Sequence, residues 1–401
     1  MIPLVRQQYN QAFSHEKYMA YLQQLNNNQP APIAFRVAET PVFCDAAFTK
    51  KMLDACESIV DVIVAPSFEA MTNASLPPGE TVPNQNQQPN FIAFDFGVCK
   101  NEAGGLEPQL IEMQGFPTLF GFQVLQDETL HKVFNIPDNF TSYFNGYNRN
   151  SYLTVLKEIL VGNHPTENVI LLEILPHQQK TNIDFYCTEA YTGIKIVCLT
   201  ELIKKDNQLY YLLNGKETPV KRIYNRIIFD DLKQQLPEIQ EKGKILYENL
   251  DVEWVPHPNW FFRVSKYTLP FIKHAYVPET RFLNSLDEMP ADLENFVLKP
   301  LFSFAGQGVI IDVTRQDIDK VTDKQNWILQ KKVHYADVIE TPDGNAKAEI
   351  RIFYFWKDGE ARPFATHNLA RLSKGKMIGV RYNENKTWVG GTIAFMEKPT
   401  M

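Results

Sequence analysis

The stretch FIAFDFGVCKNEAGGLEPQLIEMQGFPT, residues 91–118, decides how the fold is read. In both halves the side chains alternate with a period of two, as half-buried strands do. Gly104-Gly105 between them predicts a turn, so the strands pair as an antiparallel hairpin. With the turn centred near Ala103 and Gly104, symmetrical pairing sets Asp95 opposite Glu112. Ala93, Asp95 and Gly97 then share a face with Leu110, Glu112 and Gln114, while Ile92, Phe94, Phe96, Val98, Ile111 and Met113 take the core face. Two carboxylates side by side repel unless a cation or a raised pKa relieves them. An oxygen-only set with two anions suits Mg²⁺. A solvated hairpin face would give the same pattern, and the hairpin alone does not separate the two.

Upstream, residues 6–25 carry apolar positions at helical spacing, and a second helix over Ala47–Ile59 follows the strand-like PVFC. LPPGETVPNQNQQPN, residues 76–90, admits no regular element and predicts a long loop of the functional or mobile kind. Downstream, helical residues run to about Phe134. Residues 150–255 then read helix, strand (NVILLEIL), helix, strand (IKIVCLTELI), a meander around Asn214-Gly215, and strand (VKRIYNRIIF). That alternation predicts a small layered α/β domain.

Beyond 256, NFVLKPLFSFAGQGVIIDV predicts a strand ending at Lys299, a loop of small residues and a second strand. Gly306 and Gly308 let backbone N–H groups approach phosphate oxygens, and Lys299 supplies a point charge. The pattern is neither a Walker loop nor a dinucleotide fingerprint, and an ordinary turn would share it. WILQKKV is a strand whose end could meet an adenine edge. A hairpin around Lys357-Asp358-Gly359 places Glu349 and Arg351 on one face, across from Thr366 and Asn368.

The chain has 401 residues, 44% hydrophobic and 22% charged, which suits two or three domains and excludes a disordered protein. A net charge of −7 offers no basic field for a nucleic acid. Five widely spaced cysteines without a C-x-x-C pair read as buried thiols of a reducing compartment. Neither a secretory leader nor an uninterrupted apolar run of membrane-spanning length is visible, so a cytoplasmic protein with no membrane partner is expected.

The order of these pieces resembles the ATP-grasp superfamily: Lys266 in RVSKYTLPFI, Lys299 in VLKP, the SFAGQGV loop and the ILQKKV strand. The acids precede the lysines, as in circularly permuted members, including the glutathionylspermidine synthase-like group. The fold expected is α/β (α+β), a permuted ATP-grasp fold whose domain is built from 1–140 and 256–401 around an inserted pre-ATP-grasp-like α/β domain at 150–255. No room remains for the amidase half found in some of those synthases.

The resemblance implies ATP and Mg²⁺ as cofactors. Lys266 and Lys299 would contact the phosphates, under a closing loop with Ser303, Gly306, Gln307 and Gly308. Gln330 would take the hinge role, Lys331 and Val333 would offer backbone groups to adenine, and Asp337 would meet the ribose. Asp95, Glu112 and Gln114 would hold the metal, although Gln114 stands where the family has Asn. Arg351 would steady the oxyanion of a ligase joining a carboxylate to an amine through an acyl phosphate. An ATP-binding protein without ligase activity and an ATP-dependent phosphotransferase are the alternatives.

Overall fold

Strands from distant parts of the chain complete one five-stranded antiparallel sheet in the computed structural model, which describes residues 1–302, 307–375, 378, 383 and 385–398. Its order is Leu106–Gln114, Phe91–Lys100, Lys347–Phe355, Phe364–Ser373 and Gly390–Thr392. The 91–118 hairpin thus finds its next partner far downstream, in strand Lys347–Phe355. A smaller sheet joins early and late segments again: Val42–Cys44 runs parallel to Ala394–Glu397, which also pairs with Phe140–Thr141.

Phe94 and Phe96 point from the central sheet onto the helix Ala46–Ile63 and onto Trp260 and Val264. The helix buries Met52, Ala55, Cys56, Ile59, Val60 and Ile63, a stripe at three- and four-residue spacing. Asp45 caps it by accepting a hydrogen bond from Phe48 N at 2.7 Å. On the sheet's opposite face, Phe91, Phe353 and Phe355 pack with Phe120 and the helix Arg149–Val161.

That helix leads into a four-stranded parallel sheet in the order Glu253–Val255, Arg222–Asn225, Val169–Glu173 and Lys195–Cys198. Val169–Glu173 is buried throughout, as a parallel strand covered on both faces must be. The meander turns at Asn214 and Gly215, both with positive φ (52° and 78°), the pair a tight hairpin requires. A further antiparallel sheet, of four strands, holds Thr280–Phe282, Trp327–Lys331, Phe296–Pro300 and Ile310–Ile311.

Two expectations change in detail. The helical stretch 6–25 is two helices, Pro3–Ala12 and His15–Asn26, because Ser14 caps the second by accepting from Lys17 N. The 76–90 loop has no regular element but is pinned. The Asn259 side chain accepts from Val82 N at 3.0 Å and donates to Val82 O at 3.1 Å, and Trp260 Nε1 donates to Asn86 Oδ1 at 2.7 Å. Among the described residues no helix is long and apolar enough to cross a membrane.

Candidate active site

Asp95 lies opposite Glu112, and Ala93 opposite Gln114, as turn symmetry requires. The ladder then slips: Phe96 pairs with Leu110, leaving Ile111 as the extra residue of a bulge. This reverses the expected faces of two side chains. Leu110 is fully buried with Phe94 and Phe96, and Ile111 lines a cavity instead of the core. The bulge also turns the Ile111 carbonyl toward Lys299, whose Nζ donates to it at 3.0 Å. Two motifs remote in sequence meet at this bond.

Beneath the cavity lies a buried charge cluster. Arg351 stands opposite Asp95 on the neighbouring strand, and Arg371 stands opposite Glu349. The expected partners Thr366 and Asn368 are displaced because residues 356–363 form a longer connection than a tight turn and a bulge follows Phe353. Asn368 instead donates to Ser142 O and Ala394 O. Arg351 Nε and Nη2 grip the two Asp95 oxygens at 2.5 and 2.6 Å, and its Nη1 donates to Thr118 Oγ1 at 3.3 Å. Arg371 Nη2 donates to Asp95 Oδ2 at 2.6 Å and to Glu349 Oε1. Tyr335 OH completes the cluster by donating to Glu349 Oε2 at 2.9 Å. Its ring crosses Gly97 so closely that a Cβ there would sit 2.8 Å from it.

Asp95 is 1% exposed. Burial alone would raise its carboxyl, but the guanidinium groups of Arg351 and Arg371 outweigh burial and hold it below the ordinary carboxylate value. For Glu349 burial prevails over Arg371, and the neighbouring Asp95 and Glu112 push its carboxyl up further.

The facing wall is built of lysines. Lys299 is 8% exposed and has two neutral partners, Ile111 O and Gln330 Oε1, the latter at 2.5 Å. Burial lowers its ammonium to about 8, against the pull of Glu112 and with the push of Lys266. Lys266 Nζ approaches Glu112 Oε2 at 3.8 Å, and Arg351 Nη2 approaches Glu112 Oε1 at 3.9 Å. Gln330 Nε2 donates to Thr280 Oγ1 at 3.1 Å, so Gln330 orients the lysine with one end of its amide and anchors itself with the other.

The hinge strand ends at Lys331, whose N–H is taken by Glu279 O at 2.8 Å rather than left for a base. Val333 lines the cavity. The chain then crosses to the central sheet, where Ala336 N donates to Val98 O. That crossing carries Asp337 out of the cavity; it lines a separate depression with Met1 and Arg6, 3.9 Å from Lys347. Ser303 and Gly306 lie outside the described residues. Gln307 and Gly308 are exposed and do not line the cavity, Gly308 turning with φ 73° above Pro300.

The cavity measures about 1310 Å³, more than one small ligand needs. Its described lining holds eleven lysines and arginines against three acids, in a chain whose net charge is −7. Sequence reading missed Arg371, Tyr335, Thr118 and Arg226. Arg226 follows the parallel strand Arg222–Asn225, is 7% exposed, donates from Nη1 to Thr118 O at 2.9 Å and has no hydrogen-bond partner at Nε. Thr118 therefore bridges two guanidinium groups. The readable signal was parity: Glu349, Arg351 and Arg371 fall on one face of their strands.

Asp95, Glu112 and Gln114 do not fit a divalent ion as arranged. Both Asp95 oxygens carry guanidinium and Glu112 already faces two cations, which leaves the Gln114 carbonyl, whose amide NH₂ donates to Phe116 O at 3.1 Å, as a lone neutral donor, too little by itself for a divalent ion. No group of three His, Cys, Asp or Glu residues able to hold a metal occurs among the described residues.

No protein-family model matches the chain, and no curated protein does. Its fold is similar to a solved structure from Globodera pallida, described as a glutathione synthetase like-effector in its apo form. The TM-score is 0.58 and the identity 9%, over 96% of each chain. The chain thus has a mixed α/β, glutathione synthetase-like fold.

Proposed function

We propose that this protein is an ATP-dependent ligase of the ATP-grasp type that joins a small carboxylate to an amine. The observation that supports this most is the Lys299–Ile111 hydrogen bond, which brings the phosphate-type lysines and the acidic hairpin to one cavity. In this reading residues 1–140 and 256–401 form one nucleotide-binding unit in a circularly permuted order around 150–255. The five buried free cysteines suit a cytoplasmic setting.

The fold type implies ATP and Mg²⁺, and the residues here fit the first but not the second, so no step is assigned to the ion. Lys266 and Lys299 hold the triphosphate on the lysine wall. The carboxylate oxygen of the acid attacks the γ-phosphorus in line, the bond to the β–γ bridging oxygen breaks, and ADP leaves. The amine then adds to the acyl phosphate, the C–O bond to phosphate breaks as the C–N bond forms, and the proton lost from nitrogen leaves with the inorganic phosphate. Arg351, locked in one orientation by Asp95 and Thr118, faces the charge that develops on the carbonyl oxygen.

One observation favours a second reading, a nucleotide-binding protein without ligase activity: Asp95, the acid expected to hold the metal, is neutralised by two arginines. Hydroxylamine trapping separates these readings. ATP, a panel of small carboxylic acids and hydroxylamine should yield an acid-dependent hydroxamate together with ADP if the protein is a ligase. A stable phosphorylated acid without hydroxamate indicates a phosphotransferase. ATP binding without ADP release from any mixture indicates the non-catalytic reading.

A further inference from the structure

Resting on the nucleotide reading, one further property follows from the charge arrangement. A site made for a metal–nucleotide complex offers open carboxylate oxygens to the ion. Here the most buried acid of the hairpin offers none. Arg351 takes both Asp95 oxygens and Arg371 shares one of them, at 2.5 to 2.6 Å, with Asp95 1% exposed. Freeing that carboxylate would strip the partly buried Arg351 of its hydrogen-bonded carboxylate and leave Arg371 with Glu349 alone, a loss that exceeds what one ligand oxygen returns.

Glu112 does face the cavity, but an ion bound to it would sit beside Lys266 and Arg351, both within 4 Å of the same carboxylate. The repulsion extends outward: in the immediate centre four cations, Arg351, Arg371, Lys266 and Lys299, outnumber Asp95, Glu112 and Glu349. The wider lining adds further lysines. Coulomb's law then ranks the candidates, since an already positive cavity favours the more negative of two ligands. Free nucleoside triphosphate is more negative than its magnesium complex.

We propose that this cavity takes its nucleoside triphosphate as the free polyanion, with the lysine wall supplying the positive charge that a divalent cation supplies elsewhere. Metal is then neither required for binding nor held by the protein. Isothermal titration of the full chain with ATP, once in EDTA and once in excess MgCl₂, tests this without any turnover. The expected result is binding in both buffers, equal or up to about tenfold tighter in EDTA, the free-energy equivalent of about 1.4 kcal/mol. A companion titration with MnCl₂, read by electron paramagnetic resonance, should show Mn²⁺ held no more tightly by the protein–ATP mixture than by ATP alone. Binding confined to the MgCl₂ buffer, or tenfold tighter there, overturns the proposal while sustaining the nucleotide reading. Absence of binding in both buffers overturns the nucleotide reading and this proposal with it.

Discussion

On the floor of the cavity, Asp95 and Glu349 meet Arg351, Arg371 and Tyr335, so each buried charge has an opposite charge in hydrogen-bond contact. On the facing wall, Lys299 is equally buried but meets only a carbonyl and an amide oxygen. Pairing holds the Asp95 carboxyl below its ordinary value in spite of burial, whereas burial brings the lysine, whose hydrogen-bond partners are neutral, down to about 8. Burial is similar in the two places, so what differs is whether the protein provides the counter-charge. A saturated cluster holds a sheet in register; an unsaturated one leaves an attraction for a ligand to satisfy.

The largest expected effect breaks the saturated side. Asp95→Ala removes one partner from two arginines at once and should lower stability to urea unfolding by about 3–5 kcal/mol, the usual range for a broken buried pair. A loss below about 1 kcal/mol would show that the floor is solvated and the contrast with the wall false.

The wall should respond in the opposite way. Lys299→Met keeps the volume and removes a charge that burial already disfavours, so stability at neutral pH should stay equal or rise. Affinity for ATP should nevertheless fall at least about tenfold. The pH dependence has a definite sign. In the folded chain Lys299 releases its proton near 8, and in the unfolded chain near ~10.4. Between these values the unfolded state binds the extra proton, so wild-type stability should climb with pH by about 3 kcal/mol, a rise the methionine variant lacks. Urea melts of both proteins across that window check it. An anion beside the ammonium raises its pKa, so ATP binding near pH 8 should also take up a proton. Titrations in buffers of different ionisation enthalpy measure that uptake.

Smaller effects refine the floor. Gly97→Ala puts a methyl group against the Tyr335 ring and should cost about 1–3 kcal/mol by overpacking. Tyr335→Phe removes one hydrogen bond to Glu349 and should cost about 1 kcal/mol. Equal losses in both variants would mean that the hydroxyl, not the ring's seat on Gly97, anchors this corner.

Much of this contrast could be read from the residues alone, and the remainder could not for definable reasons. Turn symmetry set Asp95 opposite Glu112 because two one-residue offsets cancel: the pairs nearest the turn, such as Lys100 with Leu106, lie one residue off the symmetrical register, and the bulge at Ile111 restores it. It failed at the next step, since a bulge adds one residue without any compositional mark and exchanges the faces of Leu110 and Ile111. For Arg371 the error lay in the connection, where Lys357-Asp358-Gly359 looks like a hairpin turn but is only part of a longer link. Asp337 was misplaced because the hinge strand stops at Lys331 and the chain changes sheets, a move that periodicity does not encode. The lysine wall was legible as residue types and order. That Gln330 serves Lys299 is a fact of distance alone.

The central sheet also has a consequence in time. During synthesis the 91–118 hairpin is complete long before strand Lys347–Phe355 exists, and at about 5–20 residues per second the wait is on the order of tens of seconds. Throughout it, strand Phe91–Lys100 has one hydrogen-bonding edge open and the Phe94 and Phe96 face only partly covered, the kind of edge on which other chains dock. A chain halted before residue 347 never closes that edge. Such fragments should enter aggregates while the finished chain stays dispersed, so the same long-range pairing that assembles the cavity also sets the moment at which the nascent chain becomes safe.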